Sequence, residues 1–342
     1  LRLAGHEKRV NCAAFSSDGR YIATASSDRS IKIWDARSGT QLKQLTNATT
    51  EVFSIEFGPN GDLYAATWNA ILAWDLQEAR LRAKAETAPQ MFAKMSVSSD
   101  GKLIATNHGG IVTLRDSVTL HERTKLQVAG NRVVDFALSP NDGFVATCDS
   151  NNVGSIRLWD LERGQQIGVV RGHDDVVTSL AISHDGTRIA TGGLGNKIKV
   201  WQLSHLKTKA NWRWHGKHRV SAVAFSPDGR LVASGSGDFD QTVKIWDAQS
   251  ATATNGTKTP YGVGGVAWCS DSRHVASVSQ DGLLQVWDSG SGEELFKHWL
   301  QHGNNMSVAL ASDPHSERLA VSCEEDVFIF DCSSGQSVLK LP

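Results

Sequence analysis

The sequence predicts an all-β protein assembled from eight near-copies of a four-stranded antiparallel sheet, and three observations predict it. An aliphatic run ending in an aromatic residue and Asp returns every 40 to 45 residues. An Asp-Gly turn precedes most of these runs, which is the backbone chemistry of a hairpin. Glycine is abundant, with 31 residues against 7 Pro and 3 Met, as expected of short strands joined by tight turns rather than of long helices.

The aromatic runs come first. Ile31-Lys-Ile-Trp34-Asp35, Ile71-Leu-Ala-Trp74-Asp75, Ile156-Arg-Leu-Trp159-Asp160, Val243-Lys-Ile-Trp246-Asp247 and Leu284-Gln-Val-Trp287-Asp288 are the clear copies. Weaker copies end at Leu114, where Arg115 precedes Asp116, at Trp201, where Gln202 replaces Asp, and at Phe330 before Asp331. The eight anchors, at 34, 74, 114, 159, 201, 246, 287 and 330, are spaced by 40, 40, 45, 42, 45, 41 and 43 residues. That period spans residues 1–342 and is read as one repeat domain.

The turns follow the same period. Ala14-Phe15-Ser-Ser-Asp18-Gly19, Val97-Ser-Ser-Asp100-Gly101, Ile182-Ser-His-Asp185-Gly186 and Ala224-Phe225-Ser-Pro-Asp228-Gly229 each end an alternating apolar stretch. Beyond each turn come small and β-branched residues such as Ile22-Ala-Thr-Ala, Ile104-Ala-Thr, Ile189-Ala-Thr-Gly and Leu231-Val-Ala-Ser-Gly, suited to a strand crowded by its neighbours. Each period therefore holds a three-stranded meander and a more variable fourth strand.

A Gly-His dipeptide, a Ser-Pro-Asp-Gly-like turn and a terminal Trp-Asp, repeated in register, resemble the WD40 repeat family. The resemblance implies an eight-bladed β-propeller, four antiparallel strands per blade, in which no blade buries both faces without its neighbours. It also implies a hydrogen-bonded His, Ser/Thr, Asp and Trp set, which the first unit matches with His6, Thr24, Asp28 and Trp34. The fifth unit has His173, Thr191 and Trp201 but Gly195 where Asp belongs, and the seventh has Ser277, Asp281 and Trp287 but Thr259 for His. Blades without the full set are expected to rely chiefly on apolar packing.

Two segments compete for one outer strand. Gln336-Ser-Val-Leu-Lys-Leu341 reads as the last strand of blade eight, and Leu1-Arg-Leu-Ala-Gly-His6 reads as an outer strand too. Either the N-terminal piece clasps the two ends together or the chain was cut from a longer one.

Charge narrows the partners. Thirty-five Lys+Arg balance 36 Asp+Glu, so non-specific nucleic-acid binding is not expected, and no apolar run is long enough for a membrane span. The five cysteines, Cys12, Cys148, Cys269, Cys323 and Cys332, are scattered without a Cys-x-x-Cys pair and read as thiols in a reducing, cytoplasmic setting. The sequence holds no nucleophile elbow, phosphate loop or His-Glu-x-x-His pair, so neither catalysis nor a cofactor is expected. His215 and His218 lack a Cys or carboxylate cluster and are read as a polar loop rather than a metal site. Trp212 and Trp214, alternating with Arg213, are read as one face of an outer strand.

What remains is a binding face. The resemblance places partners at the mouth of the central channel, beside residues at the start of each innermost strand. By register these are Arg9 and Asn11, Glu51 and Phe53, Met91 and Ala93, Arg132 and Val134, Val176 and Thr178, Arg219 and Ser221, Gly262 and Gly264, and Asn304 and Met306. Phe53, Met91 and Met306 offer adaptable apolar surface, and Arg9, Arg132 and Arg219 can make paired bonds to carboxylate or phosphate. The expectation is a non-catalytic signalling scaffold whose partner is a protein or peptide, acidic or phosphorylated, with an apolar anchor. The alternative is a regulatory or sensing module of a larger signalling protein such as a kinase or NTPase, motivated by the absent initiator Met and the surplus outer strand.

Overall fold

A computed structural model describes residues 2–78, 80–87, 94–128, 132–150, 154–195, 197–203, 207–213, 219–237, 240–250, 252–300 and 310–336, and they form eight four-stranded antiparallel sheets with no α-helix. The architecture is that of an eight-bladed β-propeller, as the repeat implies. Blade 1 is typical: Val10–Phe15, Tyr21–Ser26, Ile31–Asp35 and Gln41–Leu45 pair in chain order.

The register explains the repeat. In the third strand the aromatic anchor lies opposite a fixed position of the second, as in Ile22 with Trp34, Val145 with Trp159, Ile189 with Trp201 and Val232 with Trp246. Each indole is thereby buried, and losing one to Ala would cost about 3–5 kcal/mol. The Asp that follows serves the next turn: Asp35 Oδ1 accepts the backbone N–H of Arg37 at 3.0 Å and of Ser38 at 2.7 Å. Those bonds hold its carboxyl below the usual range. The upstream turn is equally local, with Ser226 Oγ donating to Asp228 Oδ1 at 2.6 Å and Gly229 adopting φ 69°.

The chain divides into two compact units. One comprises Leu1–His108, Val112–Lys125 and Met306–Pro342, and the other Gly109–Ile111 and Leu126–Asn305. Within the first, blade 1 supplies Ala23, Ile31 and Ile33 to a core completed by Val52, Ile55 and Trp74 of blade 2. Within the second, Ile198 and Val200 of blade 5 meet Val220, Val232 and Trp246 of blade 6. The apolar cores lie between blades rather than inside them, so no blade is stable alone.

Small residues in the second strand permit this contact. A Cβ on Gly192 would stand 2.5 Å from Val220 Cγ1, and one on Gly235 would stand 2.4 Å from Val263 Cγ1. Both distances are shorter than side chains tolerate.

Among the described residues, the N-terminal segment occupies the outer edge of the last sheet. Arg2–Leu3 pairs antiparallel with Asp326–Asp331, giving a sheet in the order Arg2–Leu3, Asp326–Asp331, Arg318–Cys323, Leu310–Ser312. Residues 337–342 lie outside the described residues, so the rival strand is not placed. Blade 8 is further tied to blade 1 by the Arg318 guanidinium, which donates to Ala36 O at 2.7 Å and Gly19 O at 2.8 Å while pairing with Asp313 at 2.5 Å.

The cysteine expectation needs correcting. Cys12 and Cys323 are free thiols, whereas Cys269 and Cys332 are disulfide-bonded, so a reducing compartment no longer follows from the cysteines. No helix among the described residues is long and apolar enough to cross a membrane.

Candidate functional site

The four polar residues of blade 1 form a chain of hydrogen bonds. Asp28 Oδ2 accepts from His6 Nδ1 at 2.8 Å, Thr24 Oγ1 donates to His6 Nε2 at 2.8 Å, and Trp34 Nε1 donates to Thr24 Oγ1 at 2.9 Å. Burial lowers the His6 pKa, which keeps the ring neutral and fixes this direction of donation. Blade 5 keeps the inner part of the chain, His173 Nε2 to Thr191 Oγ1 at 2.8 Å and Trp201 Nε1 to Thr191 at 2.9 Å. The indole N–H also finds a hydroxyl in blades without the His: Thr147 at 2.9 Å in blade 4, Ser234 at 2.8 Å in blade 6 and Ser277 at 3.3 Å in blade 7. Polar anchoring is therefore more widespread than the sequence led us to expect.

The candidate face is built on a recurring bulge. In the inner strands of blades 1, 2, 4, 5, 6 and 7 the register slips at the second residue, which is Asn11, Phe53, Val134, Thr178, Ser221 or Gly264. A bulge re-aims its side chain. Asn11 Nδ2 donates to Val52 O at 2.8 Å, Thr178 Oγ1 to Val220 O at 2.5 Å, and Ser221 Oγ to Val263 O at 2.6 Å. Three of the predicted face residues are thus stitches from one blade to the next.

The residues two positions earlier behave differently. The carbonyls of Arg9, Arg132 and Arg219 accept the N–H of Ser27 at 2.9 Å, Ser150 at 2.8 Å and Gly237 at 3.1 Å, pinning the backbone to a turn of the same blade. Their side chains are exposed, and among the described residues none of the three has an ion pair. Met91 and Met306 lie outside the described residues, as do Ala93, Asn304, Trp214, His215 and His218; of Trp212 only the backbone is described.

Blades 4 and 7, with Val134 and Gly264 at the bulge, have no side chain that could make this stitch, and neither does blade 2. Its bulge residue is Phe53, which has no group to offer a neighbouring carbonyl and instead meets Trp68, with ring centroids 6.1 Å apart and planes tilted by 54°. Trp68 is 42% exposed. Arg29, Thr50, Glu51, Phe53 and Trp68 line a cavity of about 360 Å³. The sequence reading missed Trp68, although a signal was present: the turn position it occupies holds Ser27 in blade 1 and Leu194 in blade 5. A larger cleft of about 1010 Å³ between blades 1 and 2 is lined by Arg20, Tyr21, Leu42, Lys43, Asp62 and Arg82 among others. Lys43 donates to Leu76 O there and Arg82 pairs with Asp62, so two of its cations are already engaged.

With this geometry established, comparison with known proteins adds the lineage. The WD domain, G-beta repeat pattern matches residues 1–35, 164–202, 206–247 and 252–288. Protein tipD of Dictyostelium discoideum is 24% identical over 95% of this chain and 47% of its own length, and Autophagy-related protein 16 of Arabidopsis thaliana is 25% identical over 84% of this chain and 57% of its own. The chain thus spans about half the length of these two relatives. Transducin beta-like protein 2 of Homo sapiens is 22% identical over 98% of the chain. Among solved structures, the computationally designed Ika8 protein superposes with a TM-score of 0.80 at 20% identity, covering 95% of this chain and 96% of its own. That likeness is one of fold.

Proposed function

We propose that this chain, a WD40-repeat β-propeller, is a non-catalytic interaction scaffold that holds a protein or peptide segment against the face where its inner strands begin. The observation carrying this reading is the division of labour at that face. One set of side chains stitches the blades, while Arg9, Arg132 and Arg219 stand on pinned backbone and, among the described residues, have no ion pair. The backbone beneath each arginine is already ordered before binding, and each guanidinium can grip a carboxylate or phosphate with two donors. Scaffold rigidity favours capture of a segment with little backbone change. The partner we propose is acidic or phosphorylated along the stretch that meets Arg132 and Arg219, which lie in the same unit.

Affinity capture with Arg132→Glu and Arg219→Glu tests the face. Both side chains are exposed, so thermal unfolding should be unchanged. Partner recovery should fall at least about tenfold, the cost of losing a charge-assisted bond and gaining repulsion. Unaltered recovery rejects the face.

A second reading makes the propeller the regulatory module of a longer signalling protein, and it draws on relatives about twice as long as the matched region. The coding sequence on either side of these residues decides it.

A further inference from the structure

We infer that Phe53, Trp68 and Glu51 of blade 2 form a pocket for a basic side chain of the bound segment. The inference rests on the partner-binding face proposed above and supplies the chemistry of one anchor in it.

Three features converge on a cation. The faces of aromatic rings carry negative potential, and Phe53 and Trp68 present two of them at a mutual tilt of 54°. Glu51 lines the same cavity, is exposed, and among the described residues has no ion pair; its carboxylate accepts only a long bond from Ser27 Oγ at 3.4 Å. The volume, about 360 Å³, admits a lysine or arginine side chain with part of its backbone rather than a whole helix. A purely apolar anchor would make no use of the Glu51 carboxylate, and an acidic anchor beside it would be repelled by that carboxylate. Arg29, also in the lining, suits the carbonyl oxygens or an acidic neighbour that any peptide brings beside its cation.

The pocket is held in place before binding. Trp68 donates its backbone N–H to Thr50 Oγ1 at 3.2 Å, Thr50 donates to Asn69 Oδ1 at 3.1 Å, and Ala70 N–H donates to Thr67 Oγ1 at 3.0 Å, which fixes the turn that displays the indole. In blades 1, 5 and 6 the bulge side chain is spent on a neighbouring carbonyl. In blade 2 it is free to receive a ligand.

The test uses the full chain labelled with 5-fluorotryptophan, the Trp68 fluorine resonance being assigned by Trp68→Phe. Acetylated, amidated pentapeptides with Arg, Lys, norleucine or Glu between paired glycines are titrated to millimolar concentrations. The Arg and Lys peptides should shift the Trp68 resonance saturably, with the norleucine and Glu peptides at least about fivefold weaker, as expected for a partly exposed cation–π contact beside a carboxylate. Glu51→Gln should weaken the Arg peptide about five- to tenfold and leave the other indole resonances in place. Norleucine binding as tightly as Arg, Glu binding more tightly than Arg, no shift with any peptide, or an unchanged affinity in Glu51→Gln each overturns the pocket. Charge reversal at Arg132 and Arg219 reports separately on the wider face. Capture that depends on those arginines while no peptide moves Trp68 removes the pocket alone, and the converse result removes the wider face alone.

Discussion

Blades 1 and 5 bury the same imidazole, the same threonine hydroxyl and the same indole at matching distances, yet blade 1 adds Asp28 against the outer ring nitrogen and blade 5 has Gly195 in that place. The consequence is electrostatic. Burial lowers the pKa of both histidines, but in blade 1 the hydrogen bond and charge of Asp28 oppose it. In blade 5 burial is joined by Lys199 and Lys197, and the ring falls to about 3. The carboxylate is thus not needed to seat the indole. It offsets the cost of burying an ionisable ring and engages its remaining N–H.

Three experiments break or sharpen that comparison. The largest effect is expected from Asp28→Asn, which should destabilise the protein by about 2–3 kcal/mol in urea at neutral pH. The change weakens charge-assisted bonds from His6, Ser30 and the backbone of Glu7 and Ser30 at one stroke. An effect below about 0.5 kcal/mol would mean that blade 1 is held like blade 5, by packing and the inner His–Thr–Trp bonds without need of the carboxylate.

Acid sensitivity comes next. An unfolded histidine titrates at 6.5 and folded His173 at about 3, so between those values the unfolded chain binds more protons and stability falls as the pH falls. His173 alone should remove about 2 kcal/mol between pH 7.5 and pH 5. Measuring that loss in the parent and in His173→Gln isolates it; equal pH slopes would disprove the assignment.

The smallest effect is a repair. Gly195→Asp restores the missing carboxylate at a site where an added Cβ meets Asp175 Cβ at an ordinary 3.4 Å. It should raise the His173 pKa, readable by NMR, and add about 1 kcal/mol at pH 7. A pKa that does not move would show that the new carboxylate fails to reach the ring.

Much of this was legible in one dimension. Trp-Asp anchors, Ser-x-Asp-Gly turns and the blade 1 quartet are local patterns repeated in register, and the register itself carries them into space. The bulge was not legible, because it exists only when two residues oppose one across a pair of strands, and so Asn11, Thr178 and Ser221 read as partner-binding residues with no sign of their bonds to the next blade. Trp68 was visible as a lone aromatic in a turn, yet its meaning depended on Phe53 arriving beside it. The cysteines failed for the same reason: pairing is a property of distance, not of spacing along the chain.

The pairing of Arg2–Leu3 with Asp326–Asp331 has a consequence for biogenesis. During synthesis Arg2–Leu3 must wait until Asp326–Asp331 has been made before its neighbour exists. Earlier repeats can stack as they emerge, but this edge depends on the pairing most distant in sequence among the described strands, so its formation should be the slow step of maturation and its release the first event in unravelling.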